Sequence, residues 1–157
     1  MSRYYMSHEP KKSLDEVHED IQSLLRECWS LMHKSDPREL QRLTEAAEEL
    51  PMLMADFGWY LANVESDAEE AKDGRDKFKD EELIRLLSSV DDDTGKKYSV
   101  AKAERMASLS DEYTKLNDEY RNLTRAHRII KRKYDSVAKS FDGIRSRLSV
   151  IKRDSEV

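Results

Sequence analysis

Between Arg121 and Arg153 the chain carries eleven basic residues, Arg121, Arg125, Arg128, Lys131, Arg132, Lys133, Lys139, Arg145, Arg147, Lys152 and Arg153, against two acids, Asp135 and Asp142. The local charge is +9. Arginine predominates, and its planar fork meets phosphate oxygens bidentately where lysine offers only a point charge. Contacts of this kind give sequence-independent, salt-sensitive affinity for a nucleic acid backbone. A nucleic acid backbone is thus one partner for Arg121, Arg125, Arg128, Lys131, Arg132, Lys133, Lys139, Arg145 and Arg147. The other destination is internal. Residues 1–95 hold 24 acids and 12 bases, so the same cations also suit ion pairs with an acidic helix of their own chain. Arg3-Tyr4-Tyr5 adds a small basic-aromatic patch near the N-terminus, suited to a stacking contact or a partner peptide.

Other chemistries lack their residues. The chain has no nucleophile elbow, no Gly-rich phosphate loop and no closely spaced Cys or His pair. His8, His18, His33 and His127 share no ligand spacing, and the acid run Asp73, Asp76, Asp80, Glu81, Glu82 lacks the central Gly and closing Glu of a calcium loop. A solvated helical face explains the run, as a polar loop explains Asp91 to Asp93. Cys28 fits a small buried apolar residue. The residues therefore predict a protein without catalytic activity, metal or cofactor.

The elements that must position the basic arm are helical. Of 157 residues, 39% are charged and 38% hydrophobic, with only 4 Gly and 3 Pro, which argues against a turn-rich sheet sandwich. One Cys excludes an internal disulfide framework, and no apolar run reaches the roughly 18 residues of a membrane span. The N-terminus lacks the apolar core of a secretory signal. A soluble, intracellular setting is expected, cytoplasmic or nuclear. The net charge of -5 averages two unlike parts, -12 over residues 1–95 and +7 over residues 96–157.

A flexible leader is expected over residues 1–12 and a single helical domain over 13–157. Ser13-Leu14-Asp15-Glu16 has the form of a capping box, predicting a helix over about 13–34 with Leu14, Val17, Ile21, Leu24, Cys28 and Leu31 on one seam. Asp36-Pro37 reads as an N-cap followed by proline at the first helical position. The second helix, about 37–88, keeps heptads from Leu40 to Ala71, with a kink or break expected near Pro51 and again near Gly74. Residues 88–95 form the connecting loop. A third helix, about 96–153, would run 58 residues, or about 87 Å. Its seam alternates Met106, Tyr113, Tyr120, His127, Tyr134, Phe141 and Leu148 with Leu109, Leu116, Leu123, Ile130, Val137, Ile144 and Ile151. Thirteen of these fourteen positions are apolar or aromatic, so the helix must pair along its length. His127 reads as a register-setting polar core residue. Trp29 and Trp59 lie off their seams and mark a second apolar surface, which either packs helix one or meets another subunit. The architecture expected is all-α: a long antiparallel helical hairpin or coiled coil with an additional packed N-terminal helix, forming an oligomer.

The segment Tyr134-Asp135-Ser136-Val137-Ala138-Lys139-Ser140-Phe141-Asp142-Gly143-Ile144-Arg145-Ser146-Arg147, followed by Ile151-Lys152, resembles the closing helix of the UvsY-type recombination mediators of tailed phages. The shared elements are Ala138, Ser140, Asp142, Ile144, Ser146, Arg147, Ile151 and Lys152, over about twenty residues. The resemblance implies an oligomeric, non-enzymatic helical protein of the host cytoplasm. It would bind single-stranded DNA, contact the single-strand binding protein and the recombinase, and help load the latter. It also implies an oligomer interface at Tyr134, Val137, Phe141, Ile144, Leu148 and Ile151. The family's basic-aromatic motif in the N-terminal half is not evident, and Arg3, Tyr4 and Tyr5 are the nearest substitute. A coiled-coil scaffold or adaptor without a nucleic-acid role is the competing expectation.

Overall fold

The computed structural model describes residues 9–34 and 36–155. They form four helices: α1 (Leu14–Leu31), α2 (Pro37–Leu87), α3 (Val100–Leu109) and α4 (Asp111–Ser155). Among the described residues the only strand-like feature is an isolated bridge between Val90 and Lys97. The chain is all-helical, as its composition predicts. Contacts divide it into two compact units. Unit 1 combines the residues up to Ala62 with those from Ile129 onward, and unit 2 is Asn63–Arg128.

Unit 1 holds most of the core. The Ser13 hydroxyl accepts the Glu16 N–H at 3.3 Å while a Glu16 carboxylate oxygen accepts the Ser13 N–H at 2.7 Å, so the capping box fixes where α1 begins. From that start Val17, Ile21, Leu24, Leu25 and Cys28 fall on one buried stripe. Asp36 caps α2 through its side chain, which accepts the Arg38 N–H at 2.8 Å, and through its carbonyl, which accepts from Glu39 and Leu40 at 3.0 Å. Leu43, Ala46, Ala47, Leu50 and Phe57 of α2 meet the α1 stripe, and Ile130, Val137, Ile144 and Leu148 of α4 complete the interior. Phe57, fully buried, lies between two rings: His18 of α1 at 5.9 Å and Tyr134 of α4 at 5.8 Å.

Three expectations need correction. Where a kink or break is expected near Pro51 and Gly74 there is no break, because α2 is continuous from Pro37 to Leu87. Pro51 is exposed, so its ring occupies solvent, and the buried Leu50 and Phe57 anchor the helix on both sides of the missing hydrogen bond. Gly74 is also exposed, and its helix cost of about 1 kcal/mol is too small to interrupt a packed helix. The leader is held at its end. The Lys12 carbonyl accepts the Tyr60 hydroxyl at 2.6 Å, and its ammonium meets Asp20 at 2.6 Å. Residues 1–8, with Arg3, Tyr4 and Tyr5, lie outside the described residues. Finally, α1 stops at Leu31 rather than 34, its last turn tightening as the Lys34 N–H bonds the Leu31 carbonyl.

Unit 2 is thinner. Leu86, Ala103 and Ala107 are its buried apolar residues, with Leu83, Leu87 and Tyr98 packed against them. The connection between α2 and α3 is longer than the eight residues expected, and it is organised by Asp91. This buried carboxylate accepts from Lys102 at 2.5 Å, from the Thr94 hydroxyl at 3.1 Å and from the Asp93 N–H at 3.2 Å. Its carbonyl accepts from Gly95 at 2.8 Å, where the chain turns through φ +66°, a conformation that favours glycine. Ser99 then caps α3.

The single helix expected over 96–153 is two helices, divided at Ser110. The Ser110 backbone is extended, at φ -64° and ψ 145°. Its hydroxyl donates to the Ala107 carbonyl at 3.0 Å and accepts the Tyr113 N–H at 3.2 Å, so one side chain closes α3 and opens α4. Asp111 and Glu112 sit in the first turn of α4, where the helix dipole favours acids. The division changes the register of α3. Ala103 and Ala107 are buried, whereas Met106 and Leu109, assigned to the seam by their heptad spacing, are 44% and 65% exposed.

Two outcomes are expected. Ser110→Ala should lower the unfolding free energy by about 1 kcal/mol, the typical cost of a lost N-cap, as read by urea denaturation. Lys102 first, with the Asp93 N–H and Thr94, holds the Asp91 carboxyl below its ordinary value. A carboxylate depressed in the folded state stabilises fully above its unfolded value, about 3.9, and loses that contribution as pH falls through the folded value. Asp91→Asn should therefore lower the melting temperature at neutral pH, and the gap from the parent should close below about pH 4. A gap independent of pH would show that the charge is not what stabilises the loop.

Candidate polyanion-binding face

In unit 2, Arg121, Arg125 and Arg128 follow one another along α4 at steps of four and three. Each stands one or two positions past a seam residue, Tyr120, Leu123 or His127, so all three lie on the side of the helix away from the seam. The three are exposed while Tyr120, Leu123 and His127 are partly buried. With Tyr120, Asn122 and Thr124 they line a groove of about 370 Å³.

Several other cations of the same unit are held by acids. Arg75, 17% exposed, directs Nε and Nη2 to Asp76 at 2.8 and 2.7 Å and Nη1 to Asn117 at 3.2 Å, and its guanidinium lies 4.6 Å from the Tyr120 ring centre. Arg85 is held by Glu82, and Lys102 by Asp91 and Asp93. By contrast Arg121, Arg125 and Arg128 form no ion pair among the described residues. Their guanidinium forks are presented to solvent.

Unit 1 repeats the contrast. Lys131, Arg132, Lys133, Lys139, Arg145 and Arg147 are exposed and form no ion pair among the described residues; Arg145 rests 5.6 Å from the Phe141 ring. Arg153 donates to the Ser149 carbonyl at 3.2 Å. Five acids of this unit are paired with cations of the first part of the chain. Lys12 meets Asp20, Lys34 meets Glu39, and Arg42 gathers Glu27 at 2.7 Å with Glu45 and Glu49 at 3.8 Å.

The remaining singled-out residues have structural settings. Of the expected interface positions, Val137, Ile144 and Leu148 are buried within their own chain, and Tyr134, Phe141 and Ile151 are partly buried. The Trp29 ring lies over Gly143, where an added Cβ would come within 3.9 Å of it, and Trp59 packs edge-on against Tyr60 at 5.0 Å. Cys28 is fully buried, and burial pushes its thiol up, away from the reactive thiolate. In the acid run, Asp76, Glu81 and Glu82 pair with Arg75, Lys77 and Arg85. Among the described residues no group of three or more His, Cys, Asp or Glu is placed to hold a metal ion, and no helix is long and apolar enough to cross a membrane.

The sequence reading missed Arg75 and the groove beside Tyr120. The aromatic stripe signalled Tyr120 as a seam residue, but the partner across the interface, 45 positions away, leaves no local trace. No family model, curated protein or solved structure matches the chain.

Proposed function

We propose that this protein is a non-enzymatic single-stranded DNA-binding accessory of phage recombination or replication that helps load a recombinase. The observation that supports this reading is the set of nine exposed cations that form no ion pair among the described residues. Cations left in this state hold condensable anions at little desolvation cost, and a phosphate backbone supplies them in series. The resemblance of residues 134–152 to mediator proteins adds the recombinase and the single-strand binding protein as partners, and the host cytoplasm as the place.

On this reading the protein works without chemistry. Several copies, each with weak phosphate contacts, gain avidity on a long strand and favour the DNA geometry that the recombinase binds over the one its competitor binds. Self-association belongs to the proposal, and beside the seam positions Tyr134 to Ile151 it has the apolar side chains that one chain leaves exposed, Met106 and Leu109 of α3. The same exposed pair favours a second reading, a coiled-coil scaffold or adaptor with no nucleic-acid role.

Fluorescence anisotropy with a labelled single-stranded oligonucleotide separates the two. Affinity should fall steeply with salt, and Arg121→Ala, Arg125→Ala and Arg128→Ala together should flatten the log-log slope by about 2, from about 0.7 per phosphate contact. Absence of binding at about 50 mM salt, a concentration where such contacts are strong, would leave the scaffold reading. Leu109→Asp should reduce the mass seen by sedimentation without loss of helicity; an unchanged multimer would place the assembly surface elsewhere.

A further inference from the structure

We infer that the groove beside Arg121, Arg125 and Arg128 holds a nucleotide of an unpaired strand, with its base set against Tyr120 and its flanking phosphates on the arginines. This rests on the nucleic-acid reading above and deepens it, since phosphate contacts alone do not tell a base-bearing strand from a bare polyanion.

Tyr120 and Tyr134 occupy the same heptad position, yet their surroundings differ. Tyr134 stacks on the fully buried Phe57, and its ring leaves only 3.8 Å to a Cβ placed at Gly58; it is a core residue. Tyr120 has no aromatic neighbour of that kind. The Arg75 guanidinium lies 4.6 Å from its ring centre, and Tyr120 is among the residues that line the groove with Arg121, Arg125 and Arg128. Arg75 is itself fixed by Asp76 and Asn117, so the ring is held before any ligand arrives, which reduces the ordering cost of binding.

The rest of the wall suits a nucleotide. A base is a flat π-surface, and stacking on an aromatic side chain tolerates any base identity. A base meeting Tyr120 would extend the arginine–tyrosine stack already present. Arg121 and Arg128 are separated by about 10.5 Å along the helix at about 1.5 Å per residue, which spreads the cationic forks along a backbone rather than at one point. Asn122 offers donors and an acceptor, and Thr124, whose hydroxyl donates to the Tyr120 carbonyl at 2.8 Å, retains acceptor capacity toward a base edge. Duplex DNA keeps its bases stacked inside and cannot present one to the ring.

The test compares two labelled oligomers of equal length and charge, oligo(dT) and an abasic deoxyribose-phosphate strand, by anisotropy with the full chain. The parent protein should bind oligo(dT) about 5- to 150-fold more tightly, the effect of one stacked base. Tyr120→Leu should bring the two affinities together while keeping the salt slope, and Tyr120→Phe should preserve the preference. Equal binding of both strands by the parent, or a preference that survives Tyr120→Leu in a variant of unchanged helicity, overturns the inference while leaving phosphate binding intact. Binding to neither strand at low salt removes the nucleic-acid reading itself.

Discussion

A charged chain folds here by burying one stripe of each helix, and the side on which α4 is buried determines what its opposite side can do. In unit 1 the stripe Tyr134, Val137, Ile144, Leu148 turns inward against α1 and α2, with Phe57 fully enclosed between His18 and Tyr134. Each fully buried Val, Leu, Ile or Phe contributes about 1.5–3 kcal/mol, more than an exposed ion pair at about 0–1 kcal/mol. Apolar burial therefore sets the rotation of α4 about its axis, and the charges follow. Lys131, Arg132, Lys133 and Lys139 are outside because the seam is inside.

Charge then distributes by proximity. The acids of the first part of the chain lie near cations of that same part: Glu27 of α1 is met by Arg42 of α2, and Asp20 by Lys12. In unit 2, Asp91 takes Lys102 and Asp76 takes Arg75. Once these short pairs form, an exposed arginine gains little by bending toward an acid farther off, because its attraction is screened beyond about 8 Å at physiological salt. The excess positive charge of α4 stays on its surface. Net charge is consequently a poor guide to this molecule, whose average of -5 conceals a face where cations stand without partners.

The features legible in the sequence are those whose cause is local. The Ser13 capping box, the Asp36-Pro37 start of α2 and the seam from Tyr134 to Leu148 each follow from residues a few positions apart. Pro51 misled because its cost is local while its compensation, the burial of Leu50 and Phe57, comes from other helices. Ser110 misled in the opposite sense. Heptad spacing ran through Met106 and Leu109 without a gap, and the signal for a new helix, Ser110 followed by Asp111 and Glu112, was outweighed by that periodicity. Asp91 could be placed in a loop from composition, but its burial and its hold on Lys102 depend on the path of the whole connection. The basic arm is visible as a list of residues; that nine of them form no ion pair among the described residues is not, since pairing is a property of the folded neighbourhood.

The two tyrosines on one heptad position show why sequence periodicity stops short of function. A heptad says which residues share a side of a helix and is silent about what that side meets. In unit 1 the facing surface is Phe57, so Tyr134 completes an apolar interior and its ring is used up in packing. In unit 2 the facing residue is Arg75, whose charge is already shared between Asp76 and Asn117 and whose guanidinium lies over Tyr120. Both tyrosines are partly buried, and they differ in the group that each ring meets. The same residue type at the same register thus meets an aromatic ring in one unit and a guanidinium in the other. The difference is made by a side chain 45 positions away that no pattern within α4 encodes.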